Sequence, residues 1–229
     1  ELLDHLATRF MRDGWSIKKL IRSIVLSRTY QLATQSGDAP LFSHHLRRRL
    51  DAETIRDAML VATGDLNPQP AAGSLIQHRD VLINELPPLH QPSMHRSVYL
   101  LMLRNSMPPE LTPFNLPDAT TITGRRDSST LATQSLYLLN NSFLVEQSRR
   151  FAARVLKAVQ DDDQRIQFSH RQAFGRDASE RELQRARDFL REAGLMLVST
   201  SNEENKHLSD TWAAFCQALL ASNELRYVD

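Results

Sequence analysis

The sequence predicts a mainly α-helical fold, as one domain or two lobes, with a small irregular β element in the middle. Three observations carry this reading. Apolar residues recur at helical spacing in both the first and the last parts of the chain. Helix-starting and helix-ending residues bracket those stretches. Nine of the ten prolines fall between Asp65 and Pro117, where they interrupt regular structure. With 229 residues the chain can bury a sizeable core.

The opening "ELLDHLATRF" reads as helix, with Leu2, Leu3, Leu6 and Phe10 on one face. It lacks both a Met and a capping residue at its start, so it reads as part of a longer protein. A second helix starts at Ser16, a good N-cap after the Gly14 break. Ile17, Leu20, Ile21, Ile24 and Val25 recur at i, i+3, i+4, i+7 and i+8, which predicts an apolar stripe against a core. Burying each such side chain stabilises the fold by about 1.5–3 kcal/mol. Lys18, Lys19, Arg22 and Arg28 lie mainly on other faces and read as a solvated surface.

After the polar link "ATQSGDAP", "FSHHLRRRLDAETIRDAML" sets three arginines before a helix. Asp51 can cap that helix, which runs through Ile55, Ala58, Met59 and Ala62 and ends at Gly64. In the proline-rich region, "SVYLLMLRN" reads as a short buried strand paired with "SLIQHRDVLI", with a helical turn as the alternative for either. From Ser128 onward five helices are predicted. "STLATQSLYLLNN" and "SFLVEQSRRFAARVLKAV" part near Asn140 to Ser142, and "DDQRIQFSHRQAFG" ends at Gly175. "ASERELQRARDFLREAG" carries the capping box Ser179…Glu182 and ends at Gly194. The last, "NKHLSDTWAAFCQALLAS", buries Trp212, Phe215, Cys216, Leu219 and Leu220. The organisation is thus a helical part over 1–64, an irregular part over 65–127 and a helical part over 128–229, together one composite domain.

Composition narrows the function classes. Lys+Arg 28 against Asp+Glu 27 gives a net charge of +1, with the two signs interleaved, which argues against nucleic acid as partner. Cys216 is the only cysteine, so an internal disulfide, a cysteine-based zinc cluster and a C-x-x-C-H haem attachment are excluded from this segment. No apolar run approaches the roughly 20 residues that span a bilayer.

The candidate site lies in the arginine-rich stretch. Glu53 and Asp57 are one helical turn apart and repel unless cations lie between them. Arg56 is close to Glu53 on the same helix, and Arg49 reaches it if the helix extends backwards. A second cluster, "TGRRDSSTLATQ", offers Arg125 and Arg126 beside a helix start capped by Ser128 or Ser129, a setting that suits an anion. It lacks the Gly-Lys-Ser/Thr ending of a phosphate-binding P-loop. The favoured reading is a partly buried ion-pair network of Arg49, Glu53, Arg56 and Asp57 with Arg125 and Arg126. Breaking a buried pair costs about 3–5 kcal/mol. The rival is an anion or sugar pocket, or catalysis on glycans with Glu53 and Asp57 as acid and base, which requires open carboxylates about 5–10 Å apart. His78, His90 and His95 share one loop without metal-ligand spacing, so no metal is expected. No G-x-S-x-G elbow surrounds Ser128, Ser129 or Ser135.

Six stretches in order, "GWSIKKLIRSIVLSRTYQL", "RRRLDAETIRDAML", "RSVYLLMLRN", "TLATQSLYLLNNSF", "AFGRDASERELQRA" and "WAAFCQALLASNELRYVD", resemble the C-terminal domain of unknown function of planctomycete cytochrome c-associated, PSD1-type proteins. The resemblance covers nearly the whole chain; "HRDVLINELPPLHQPSMH" departs from the family's usual Gly- and Pro-rich link. It implies an exported protein of the periplasm or cell envelope, whose haem lies in a separate segment, and it supplies no catalytic residues. The expected function is a non-catalytic binding or scaffold domain. Its expected partners are other domains of the same chain and an anionic or carbohydrate ligand.

Overall fold

A computed structural model describes residues 1–34, 43–45, 47–71, 90, 92–104, 106–198 and 204–228. His78 and the "SLIQHRDVLI" segment lie outside them. The chain divides into two compact units, Glu1–Arg48 with Tyr227–Asp229, and Arg49–Arg226. Among the described residues the fold is mainly helical, with one two-stranded ribbon of β1 (Arg48–Arg49) and β2 (Tyr227–Val228), at which the division falls.

The first unit holds α1 (Leu2–Arg12) and α2 (Ile17–Val25), which pack on one another. Gly14 and Trp15 turn the chain between them with φ of 75° and 58°. A left-handed backbone is uncommon for a residue as bulky as tryptophan. The Trp15 N–H donates to the Phe10 carbonyl at 2.9 Å, and the two rings meet edge-on at 5.3 Å. Ser16 caps α2 as expected, accepting from the Lys19 N–H at 3.4 Å. The predicted stripe exists but is not a core: no residue of either helix is buried, and Ile17, Ile21 and Ile24 are exposed. Two short helices bury little of each other's surface, so the stripe's outer part faces outwards.

The second unit is a bundle of α3 (Ala52–Thr63), α4 (Ala132–Asn140), α5 (Ser142–Ala158), α6 (Asp162–Phe174), α7 (Glu180–Val198), α8 (Glu204–Leu220) and the short α9 (Asn223–Arg226). Asn141 alone separates α4 from α5 and caps α5 by accepting from the Phe143 N–H at 2.8 Å. The α7 capping box forms: the Ser179 N–H donates to Glu182 at 2.8 Å and the Glu182 N–H to Ser179 Oγ at 3.4 Å. Gly194 does not end α7, which continues to Val198. The centre of the core is the packing of α5 on α8, with Leu144, Phe151, Ala152 and Val155 against Trp212, Phe215, Cys216, Leu219 and Leu220. α3 adds Ile55, Met59 and Ala62.

Gly64 ends α3 in a left-handed conformation at φ 81°. A Cβ there would lie 3.1 Å from the Arg154 guanidinium, which donates to the Val61 and Ala62 carbonyls at 3.2 and 2.8 Å. In the middle of the chain, Ser97–Tyr99 is a 3-10 turn, the alternative to the strand reading, and a second such turn is Thr112–Phe114.

Candidate functional site

The extended ribbon ends at Arg49 and α3 begins at Ala52, with Asp51 in the N-cap position but making no capping bond through its side chain. Arg49 is therefore not one helical turn before Glu53. Its guanidinium turns to acceptors on other segments: the Ser129 carbonyl, the Phe114 carbonyl at 3.3 Å, Asn115 Oδ1 at 2.6 Å and Gln134 Oε1 at 3.5 Å. Asn115, left-handed at φ 62°, is joined further to Ser129, whose N–H donates to Asn115 Oδ1 at 3.2 Å. Asparagine tolerates this conformation better than most residues. Gln134 donates to the Pro113 and Ser129 carbonyls at 3.0 Å each.

Glu53, in the first turn of α3, takes both guanidinium arms of Arg126, at 2.6 and 2.8 Å. This part of the network forms as expected. The Arg126 guanidinium holds the Glu53 carboxyl below its ordinary range. The pair is only half-buried, with 26 % of the Glu53 and 42 % of the Arg126 side chain exposed. Solvent screening removes most of the gain from such a pair. Glu53→Gln is therefore expected to cost about 1 kcal/mol or less, not the 3–5 kcal/mol of a buried pair. Because the folded pKa is depressed, the lost stability is present above the ordinary value of 4.5 and disappears as pH falls through the lower folded value. Denaturant midpoints of both proteins across that range check it.

Arg56 is the buried member, 2 % exposed. It turns from Glu53 to the segment after the proline-rich region, donating to the Ser93 carbonyl, the His95 carbonyl at 3.0 Å and Ser97 Oγ at 3.2 Å. Its guanidinium lies 5.4 Å from the Phe143 ring centroid, a cation–π arrangement. Asp57, 3.8 Å from Arg56, accepts from the Ser97 N–H at 2.8 Å and the Ser97 hydroxyl at 2.7 Å. Arg96 lies 3.8 Å from its other oxygen. Arg56 and Asp57 thus clasp Ser93–Ser97 onto α3. Burial lowers the Arg56 pKa, but a guanidinium stays charged in proteins. Arg56 Nε, Tyr137 Oη and Gln147 Oε1 are buried polar atoms that make no hydrogen bond among the described residues. Burial also raises the Tyr137 pKa.

Arg125 and Ser128 are exposed. α4 starts at Ala132, so neither Ser128 nor Ser129 is its N-cap; the Leu131 N–H instead donates to Gln134 Oε1 at 3.4 Å. Of the seven candidate residues, Arg49, Glu53, Arg56, Asp57 and Arg126 are therefore shared among three separate contacts, and Arg125 and Ser128 lie outside these three. Arg49 holds the Phe114–Ser129 region, Glu53 holds Arg126, and Arg56 with Asp57 holds Ser93–Ser97. Ser97, Asn115, Phe143 and Gln134 take part without any signal in sequence spacing. His90 Nε2 lies 3.0 Å from both the Ser106 carbonyl and hydroxyl, and His95 Nδ1 is 2.9 Å from the Gln69 carbonyl. Among the described residues, no group of three or more His, Cys, Asp or Glu is placed to hold a metal. No described helix is long and apolar enough to cross a membrane.

Fold and polar cluster together define a mainly helical module in which arginines on and beside one helix hold the irregular segments in place. The profile of the PSD1 family, described as a protein of unknown function (DUF1553), matches residues 1–190, and the chain belongs to that family. No curated protein and no solved structure matches it.

Proposed function

We propose that this chain is a non-catalytic binding or scaffold domain. The observation that carries this reading is the engagement of both candidate carboxylates. Glu53 is paired through both oxygens with Arg126, and Asp57 accepts two bonds from Ser97 beside a buried guanidinium. A general acid or base must be free to exchange a proton with substrate. Glycan chemistry on these residues would first have to release both, loosening the segments they hold.

The wider setting is part of the same proposal and rests on the six-stretch resemblance together with family membership. The longer protein is exported, works in the periplasm or cell envelope of a planctomycete, and carries its haem elsewhere. Sulfated and uronic-acid oligosaccharides are the test ligands, scored by thermal shift and by release of new reducing ends. The expected result is no bond cleavage with any of them. Cleavage that disappears in Glu53→Gln or Asp57→Asn overturns the scaffold reading. Fractionation that recovers the full-length protein only from the cytosol overturns the export part.

A further inference from the structure

Among the described residues, the first unit presents an exposed apolar stripe. Trp15, Ile17, Ile21 and Ile24 are 67, 65, 53 and 39 % exposed, and they run from the turn along one face of α2. A core helix would bury that stripe and a fully solvated helix would not carry it. A contiguous exposed apolar surface on a protein marks a place of interaction. The same stretch is one-sided in charge. From Gly14 to Gly37 there is no Asp or Glu, while Lys18, Lys19, Arg22 and Arg28 are present. Lys18 and Arg22 follow each other by one turn beside the stripe, and Lys19 lies further round.

The occupant follows from this combination. A second copy of α2 against the stripe would bring like charges together. A flat anionic surface accepts all the features at once: isoleucines enter its apolar part, lysine and arginine stems reach back to its charges, and an indole sits at the boundary. The left-handed turn at Trp15 leaves the indole at the end of the stripe, braced edge-on by Phe10 at 5.3 Å.

We infer that α2 and the Trp15 turn form a docking surface for a membrane rich in anionic phospholipid, lying in its interface without crossing it. The inference is independent of the scaffold reading, which rests on the second unit.

The test uses the whole chain and sedimentation with two kinds of vesicle, phosphatidylcholine alone and an equal mixture with phosphatidylglycerol. Binding to the mixed vesicles is expected to be stronger by on the order of tenfold or more and to fall at high salt. Trp212 is buried, so a blue shift of fluorescence on binding reports Trp15, and Trp15→Phe removes the shift. Ile21→Asp and the pair Lys18→Glu with Lys19→Glu each reduce binding at least several-fold while leaving the circular dichroism spectrum unchanged. Lys157→Glu, on α5, leaves binding unaltered. Equal binding to both vesicles, or none to either, overturns the inference. So does a concentration-dependent dimer that Ile21→Asp abolishes, which would identify a second copy as the occupant.

Discussion

Arg56→Met is expected to lower the unfolding free energy by about 3–5 kcal/mol, the loss typical of breaking a buried charged cluster. Methionine keeps the apolar stem but not the guanidinium, so the loss combines the polar contacts with the cation–π contact to Phe143. It strips donors from the Ser93 and His95 carbonyls and from Ser97 Oγ, and removes the cation beside Asp57. A buried acceptor left unpaired costs about 1–3 kcal/mol, and few domains have more than about 15 kcal/mol in total. Equilibrium denaturation gives the number, and faster amide exchange over 94–99 gives the location. Glu192→Gln, on an exposed position of α7, should leave both unchanged. A loss below about 1 kcal/mol would mean that the clasp is as weak as a surface pair.

Phe151→Ala should have a comparable effect, about 3–5 kcal/mol, through a different cause. The ring is fully buried on α5, the helix most extensively packed against α8. Removing it takes away transfer energy and leaves a cavity that closely packed neighbours fill only in part. Phe151→Leu keeps most of the volume and should cost clearly less. Thermal and denaturant unfolding of the two variants side by side check the order. Equal losses would show that the position tolerates no change of shape, so the cavity would not be the cause.

What the sequence made legible was local. The end of α3 followed from Gly64 and the start of α7 from Ser179 and Glu182, because these signals act within one helical turn, whereas Asp51 occupies the N-cap position of α3 without a side-chain capping bond. The burial of Trp212, Phe215, Cys216, Leu219 and Leu220 followed from helical periodicity. Gly194 misled because a glycine inside a helix costs only about 1 kcal/mol and need not stop it. Of the arginine contacts, only Glu53 with Arg126 was anticipated as a cross-segment pair. Arg56 and Arg49 find acceptors 37 to 85 residues away, mostly carbonyls that have no sequence signature. The Ser97 turn likewise depends on Asp57 drawing its N–H, a contact across 40 residues. The outward stripe of α2 was legible as a stripe, whereas its exposure depends on what the fold sets against it.

The attachment at Asn67 has a consequence for how this protein can vary. The Asn67 N–H donates to the Met94 carbonyl at 2.7 Å and its carbonyl accepts from the Arg96 N–H at 3.1 Å, so the chain returns to the point from which it left. Arg56 and Asp57 hold the returning segment from the side of α3. Once both ends are fixed, closure entropy grows only with the logarithm of loop length, about 0.6 kcal/mol for each doubling. The closure term alone therefore sets little penalty on the number of residues between Asn67 and Met94. What this part of the fold constrains is its closing point, where Asn67 meets Met94 and Arg96 while Ser93 and Ser97 meet Arg56 and Asp57.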